Sequence, residues 1–219
     1  MAFLTVNTES VAKEGGDYVT KSGIFDLTLK HAEVVNTTNG AVSMNYFFDK
    51  VMSYGNNIIG VNGQPTFGYK ILEALATVIG EEELSDPEPT TVTFKKGSKE
   101  LSCIPELNDV AVKAWIQVSY RMYKGEIQED VSVRRFYRAS DGASGSEVLS
   151  GEDIGSRLAK DSEVATEIKY EDGVTSDAVA AWKKAQQDGN KPAAAAGAPK
   201  TGGFPGAAAK PKTGFPGAK

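Results

Sequence analysis

The sequence predicts a mainly β protein with a minor helical part, and three observations support that fold class. Several short stretches alternate apolar and polar residues with the period of two that is typical of strands. Turns rich in Gly and Asn separate these stretches at short intervals. One amphipathic helix interrupts them in mid-chain, and polar helical sequence follows them. Roughly six short strands in this arrangement indicate a small antiparallel barrel or sandwich.

The first predicted elements form a β-hairpin over residues 22–51. Phe25, Leu27 and Leu29 alternate with polar residues, as expected of a strand with one buried face. Residues 36–40, NTTNG, suit the positive φ angles of a tight turn. The residues after this turn are therefore predicted to return as the second strand.

The next regular element is a helix, predicted over residues 69–79. A Gly/Asn-rich loop at 54–68, with a short apolar piece in it, separates this helix from the hairpin. The apolar residues of the helix recur on one face, and Gly80 stands where a helix commonly ends. An acidic loop interrupted by proline follows at 81–90.

A second β region begins near residue 91. Residues 91–104 are predicted to form a strand, a turn and a second strand. The clearest hairpin of the chain joins a strand at 112–123 to a partner at 126–138 through the tight turn Lys124-Gly125. Beyond it the sequence becomes polar and helical, and a helix is predicted over residues 176–187.

This order of elements fits an OB-like antiparallel barrel with a mid-chain helix and a C-terminal helical extension. That fold commonly places a helix between its third and fourth strands, although the strand count alone fits several other β folds. The chain is expected to divide into an OB-like domain at 1–150, a helical extension at 151–189 and a disordered Lys/Gly/Pro tail at 190–219. In that tail, KTGGFPGAAAK at 200–210 returns as KTGFPGAK at 212–219.

The charge is unevenly distributed along the chain. The net charge is −5, but residues 191–219 carry five lysines and no acidic residue. The rest of the chain therefore carries 19 basic and 29 acidic residues. An acidic body can bind phosphate groups only through a local basic stripe, and such binding depends strongly on salt.

The inventory of reactive side chains argues against an enzyme. The chain has one histidine, His31, and one cysteine, Cys103. These are too few for a zinc site of the Cys/His type, and no G-x-S-x-G motif is present. The acidic clusters, such as residues 81–83, are interpreted as solvated charge. We therefore expect no catalytic residues, no metal site and no cofactor.

The sequence also predicts a cytoplasmic protein that does not enter a membrane. No apolar run approaches the roughly 18–20 residues that span a bilayer. The N-terminus has neither a basic start nor a long apolar stretch, so we expect no signal peptide. A single cysteine cannot form a disulfide within the chain.

The hairpin of residues 112–138 combines aromatic and cationic residues in a pattern that favours nucleic-acid binding. By strand parity, Ile116, Val118 and Val133 point to the core, and the alternate positions point outward. Unpaired bases stack on exposed aromatic rings, with about 1–3 kcal/mol per base, while cations contact the phosphates. The residues predicted to form this outward face are Trp115, Arg121, Tyr123, Arg134, Phe136 and Arg138.

The second strand offers a further candidate set. Tyr46, Phe48 and Lys50 share one face, while Phe47 lies on the other. At least one of these faces must be core, and we expect Tyr46, Phe48 and Lys50 on the binding side.

Two alternatives stay open for the hairpin. Its aromatic residues could instead cover a second core under the C-terminal helix that carries Trp182, with the arginines paired to Glu129 and Asp130. A bulge near Arg134 and Arg135 would also exchange the two faces.

Three segments of the chain resemble small phage-encoded single-stranded-DNA-binding proteins with an OB fold. The N-terminus MAFLTVNTESV leads into the first strand as it does in that family. The helix YKILEALATVIG at 69–80 resembles the family's helix. Residues 104–149, from IPELNDV to GSEVL, resemble the family's loop, its two-stranded hairpin and the segment that ends it.

The resemblance implies a non-enzymatic protein that binds single-stranded DNA without sequence preference in phage replication or recombination, in the host-cell cytoplasm. Bacterial and many phage proteins of this kind end in an acidic tail that recruits partner enzymes, whereas this tail is basic. We expect the tail to be a tether for DNA or for replication or recombination proteins. Two alternatives stay open for the tail: it folds back on the acidic body, or it is an inert linker. A second class of function, a structural or protein-interaction module of a phage, stays open.

Overall fold

The computed structural model describes residues 18–94 and 97–187, and this part of the chain is mainly β. Its strands are β1 (Gly23–Asn36), β2 (Val42–Phe48), β3 (Met52–Ile59), β4 (Glu88–Phe94), β5 (Gly97–Cys103), β6 (Val110–Tyr123), β7 (Glu126–Arg138) and β8 (Lys169–Tyr170). Its helices are α1 (Phe67–Ile79), α2 (Gly145–Ser150), α3 (Ser156–Ser162) and α4 (Ser176–Gln187). The predicted mainly β fold with a mid-chain helix is confirmed, and α1 lies between the third and fourth strands.

The strands form one sheet, with the long strand β1 at its centre. One edge of β1 pairs with β2, and the other pairs with β6 and, at Glu33, with β5. β3 extends the sheet beyond β2, and β7 extends it beyond β6, all antiparallel. Within the described residues no ladder of backbone hydrogen bonds joins β3 to β7, so the sheet is not closed into a barrel.

Helix α1 fills the open side of the sheet. The side chain of Thr66 accepts a hydrogen bond from the backbone N–H of Gly68 at its start, and Gly80 ends it with a φ of 86°. Between these caps one face of the helix, which includes Leu75, is buried in the main core. The apolar stripe therefore predicted the buried face correctly, and the helix begins two residues before the predicted start.

Strand β3 differs from the sequence prediction, which treated most of it as a loop. Its Gly-Asn-Asn centre resembles a turn in sequence, but it pairs with β2 through two register shifts. Side chains compensate for the irregular pairing, since the backbone N–H of Gly55 donates to the Asn45 side chain at 2.9 Å. A bulged edge strand of this kind lacks the regular alternation from which strands are predicted.

The C-terminal segment packs along the β6–β7 hairpin. The buried carboxylate of Asp161 in α3 accepts a hydrogen bond from the Tyr137 hydroxyl at 2.7 Å and pairs with the Nε of Arg135 at 2.9 Å. Helix α4 then covers a second, smaller core, where Trp182 packs edge-on to Tyr120. No helix of the described ranges is long and apolar enough to cross a membrane. The predicted tail at 190–219 lies outside the described residues.

Candidate nucleic-acid interface

The facing edges of β3 and β7 and the first turn of α1 enclose an open groove of about 510 Å³, hereafter the slot. Ile71 of α1 contributes to its lining. Side chains of β3 hold the two edges together: Ser53 Oγ donates to the Val131 carbonyl at 2.9 Å, and Asn56 Oδ1 accepts from the Val133 N–H at 3.4 Å. The slot is thus the place where the sheet fails to close.

Exposed aromatic side chains lie in and beside the slot. Tyr54 of β3 and Phe67 of α1 line it, and each is 58% exposed. Tyr123, at the tip of the β6–β7 hairpin, is 52% exposed. Large aromatic rings are normally buried, so three accessible rings around one groove offer stacking surfaces to a ligand.

Cationic side chains lie beside two of these rings, Phe67 and Tyr123. The Arg134 guanidinium carbon lies 5.8 Å from the centre of the Phe67 ring. The guanidinium carbon of Arg121 and the ammonium nitrogen of Lys124 lie 5.8 and 5.2 Å from the centre of the Tyr123 ring. Such cation–π geometry holds positive charge beside a ring face. Planar bases and phosphates could therefore be contacted together.

One acidic side chain moderates the positive charge of the slot. Arg121 Nε pairs with the Asp130 carboxylate at 2.6 Å, and both residues line the groove. Both side chains are more than a third exposed, so the ion pair is well solvated and weak. A phosphate could compete with Asp130 for Arg121, and Arg134 has no acidic partner among the ion pairs of the described residues.

A close backbone approach fixes one wall of the slot. A Cβ atom on Gly68, in the first turn of α1, would lie 2.1 Å from the Asn57 carbonyl oxygen of β3. No side chain fits in that space, so glycine allows the helix start to lie directly against the strand. The separation between Phe67 and Tyr54 depends on this contact.

The prediction that Phe136 points outward is wrong, because β7 contains a bulge. Trp115 pairs with Arg135, but the next residue of β6 pairs with Val133, which leaves Arg134 as an extra residue. Side-chain parity therefore reverses at that point. Phe136 is fully buried, with its ring 5.5 Å from that of Tyr46. Of the two alternatives left open by the sequence, the structure contains the bulge. It also contains part of the other alternative, because α4 covers a second core where Trp182 packs on Tyr120, and Arg121 pairs with Asp130.

The prediction that Tyr46 and Phe48 lie on the binding side is also wrong. Both are buried in the main core, and both rings contact Phe136. Burial raises the pKa of the Tyr46 hydroxyl. The opposite face of β2 carries Phe47, whose ring lies 5.7 Å from Tyr54 beside the slot. Tyr46 and Phe48 do share one face of β2, as predicted, but that face is core, and Phe47 on the other face is buried as well.

The remaining predicted residues lie away from the slot. Trp115 is half-buried, between strands β1 and β7 on β6. Arg138 is held by Asp141 in the turn after β7, with Nε–Oδ1 and Nη2–Oδ2 distances of 3.0 and 2.6 Å. Lys50 lines a separate depression with Lys21 and Phe25. The structure therefore brings together Arg121, Tyr123 and Arg134 from the predicted set.

Sequence reasoning missed two of the aromatic residues that define the slot. Phe67 follows Thr66, a good N-cap residue, and an exposed aromatic in a first helical turn could have been noticed from that signal. Tyr54 lies in the unrecognised strand β3, so its position could not be inferred. Lys124 was assigned to a turn only. Groups of acidic, histidine or cysteine side chains arranged to hold a metal ion are absent from the described ranges.

Comparison with known proteins gives no relative from which a role could be transferred. No family model matches the chain. No curated protein matches it, and no solved structure does so either.

Proposed function

We propose that the protein binds single-stranded DNA without sequence preference, and that the slot is its binding surface. The observation that carries this proposal is a pair of exposed rings in the slot, Tyr54 and Phe67, with Arg134 beside Phe67. A third exposed ring, Tyr123, lies next to Arg121 of the slot. Every base has a π face, so stacking on such rings does not depend on sequence. No catalytic step is part of the proposed function.

The distribution of charge supports moderate binding whose affinity depends only weakly on salt. Arg121, Lys124 and Arg134 are the cations placed to contact phosphates, in a protein whose net charge is −5. Few phosphate contacts give a shallow dependence of affinity on salt. Stacking should therefore provide much of the binding free energy, about 1–3 kcal/mol per base.

The biological setting of the proposal rests on the family resemblance of the sequence alone. That resemblance favours a role in phage DNA replication or recombination, with replication or recombination proteins as further partners of the tail. Both assignments stay predictions.

Fluorescence anisotropy with a labelled oligothymidine tests the proposal, beside a duplex of equal length and at low and physiological salt. We expect tight binding to the single strand and weak binding to the duplex. Tyr54→Ala and Phe67→Ala should each weaken single-strand binding by about 1–3 kcal/mol. Their exposure means that neither change should unfold the protein.

Leu149→Ala provides the matched control, because Leu149 is 79% exposed and lies on α2, outside the slot. This variant should bind like the wild type. Unchanged affinity in both aromatic variants would reject the slot as the binding surface.

A protein-interaction module is the second candidate, and one observation favours it. Beside the slot, the Phe47 ring contacts Tyr54 of β3 on one side and Phe94 of β4 on the other. The Tyr54 hydroxyl donates a hydrogen bond to Met52 Sδ. Met52 is itself 39% exposed, so an apolar patch continues from the slot along β3. Absence of oligothymidine binding at low salt would favour a protein partner at this patch.

A further inference from the structure

A second groove, of about 580 Å³, runs along α1 from Tyr69 to Thr77 and continues beside the loop that follows the helix. Its floor is apolar and includes Leu72, Ala76 and Ile104. The loop after α1 forms one wall, and Ser85 anchors this loop by hydrogen bonds to the Glu106 carboxylate. The groove is therefore a formed surface with a fixed wall.

The rim of this groove is acidic. Glu73, Glu81 and Glu82 line it, and none of the described lining residues is basic. Glu81 and Glu82 directly follow the C-terminus of α1, where the carbonyl ends of the helix already carry partial negative charge. Carboxylates at that end of a helix are repelled by the partial negative charge of its last carbonyl groups, and a bound cation would reduce this repulsion. The groove thus suits a ligand that is apolar in the middle and positively charged around it.

The chain contains a segment of that chemistry in its tail. Each Phe-Pro-Gly unit has a lysine on both sides: Lys200 and Lys210 flank Phe204, and Lys212 and Lys219 flank Phe215. Residues 191–219 carry no acidic residue. The same segment fits the slot less well, because two cations, Arg121 and Arg134, face a single acid, Asp130, there.

We propose that the Phe-Pro-Gly units of the tail dock in the acidic groove of their own chain. A phenylalanine ring would cover the apolar floor, and the flanking lysines would pair with Glu73, Glu81 and Glu82. The inference is independent of DNA binding, since it uses neither the slot nor a ligand.

The length of the tail permits this contact. Sixteen residues separate the end of α4 at Gln187 from Phe204, and such a segment spans at most about 60 Å. A folded body of this size has a radius of gyration of about 15 Å, so the tail can reach either side of it. A tethered segment has an effective concentration in the millimolar range, so even a weak contact is populated within one chain.

Paramagnetic NMR of the full chain tests the proposal without DNA. A nitroxide is attached to Ala218→Cys in a ¹⁵N-labelled protein, which keeps every lysine of the tail, and buried Cys103 should not react. The wild-type chain treated with the same reagent checks this. We expect the amide signals of Ala76, Glu81 and Glu82 to lose most of their intensity, while those of Tyr123 and Gln128, at the tip of the β6–β7 hairpin on the slot side, keep theirs.

Variants separate docking from general proximity. Phe204→Ala with Phe215→Ala should restore the signals, and so should Glu81→Lys with Glu82→Lys. The matched control is Glu152→Lys with Glu163→Lys, two exposed acids outside the groove, which should leave the intensity loss unchanged.

Three results would overturn the inference. The first is an equal loss of amide signal intensity, or no loss, throughout the protein. The second is a loss of signal intensity at the slot instead of the groove. The third comes from mixing ¹⁵N chains that carry no nitroxide with spin-labelled chains of natural isotope content. Intensity loss at the groove in that mixture would mean that a neighbouring chain supplies the tail.

Discussion

The two ends of helix α1 lie in opposite chemical surroundings. At its start, Phe67 and Gly68 line a slot that holds exposed rings, Arg121 and Arg134. At its end, Glu81 and Glu82 line a groove with an apolar floor and an acidic rim. Both surfaces use residues of one rigid element, so their separation is fixed by the length of the helix. The comparison shows that one helix can carry surfaces of different charge at its two ends: two arginines and Asp130 at the slot, and glutamates alone at the groove.

The largest effect is expected from removing a buried side chain of α1 that anchors the whole helix in the core. Leu75 is fully buried at the middle of α1. Leu75→Ala should lower the free energy of unfolding by about 2–5 kcal/mol, through lost burial and a cavity. Urea denaturation followed by circular dichroism measures this. A loss below 0.5 kcal/mol, as expected for the exposed control Leu149→Ala, would mean that α1 is not a rigid link.

A change at Gly68 should disturb the slot end alone. A methyl group there would clash with the Asn57 carbonyl and push the helix start away from β3. We expect Gly68→Ala to destabilise the protein by about 1–3 kcal/mol and to weaken oligothymidine binding. The amide shifts of residues 76–84 should stay unchanged. Shifts that spread to those residues would show that the two ends respond together.

The middle of α1 is supported by α2, and this support should depend on pH. Gly145 of α2 packs on Ala74 of α1. Burial acts to raise the pKa of Glu147 in α2, but hydrogen bonds from Ser144, Arg157 and Ser156 outweigh it and lower that pKa to about 2. The ionised carboxylate is thus favoured in the folded state, and its contribution to stability is complete above the usual value of 4.5.

Stability should therefore fall as the pH drops from about 4.5 towards 2, and Glu147→Gln should flatten this dependence. At neutral pH the same variant should lose about 1–3 kcal/mol, because buried donors lose a charged acceptor. Urea midpoints measured from pH 2.5 to 7 test both statements. The exposed control Glu152→Gln should give a profile parallel to that of the wild type, and a Glu147→Gln profile as steep as the wild type would contradict the assignment.

The smallest expected effect concerns the acidic end. Gly80 and Glu81 donate their backbone N–H groups to the carbonyls of Thr77 and Ala76, which closes the helix. In a chain that also carries Phe204→Ala and Phe215→Ala, Glu81→Gln should raise the unfolding free energy by about 0.3–1 kcal/mol at low salt. Thermal melting measures the change. A decrease would show that the carboxylate stabilises the helix end by another contact.

The elements with regular periodicity could be predicted from the sequence, and the irregular ones could not. Predicted strands at 112–123 and 126–138 match Val110–Tyr123 and Glu126–Arg138 closely, because alternation and the Lys124-Gly125 turn fix both. β3 was missed, since its bulged pairing with β2 leaves no alternation to recognise. The proposed division of the chain at residues 150 and 189 stays a prediction.

The candidate site was predicted in part, and one inserted residue explains the largest error. Arg134 is the extra residue of β7, so every position beyond it changes face. The only trace in the sequence is the Arg134-Arg135 pair, which interrupts the alternation of the strand. Phe67 and Tyr54 meet because distant segments pack together, which a local pattern does not encode.

The two-residue strand β8 has a consequence for the behaviour of the protein in concentrated solution. β1 stops pairing with β6 at Ile116, and β8 takes over that edge at Ser119 and Tyr120. A bare strand edge offers unpaired backbone groups to other chains and promotes aggregation. Detachment of residues 164–187 would expose this edge, and the resulting aggregation would be measured by light scattering. The C-terminal segment therefore covers a stretch of the β6 edge that would otherwise be open to pairing with another chain.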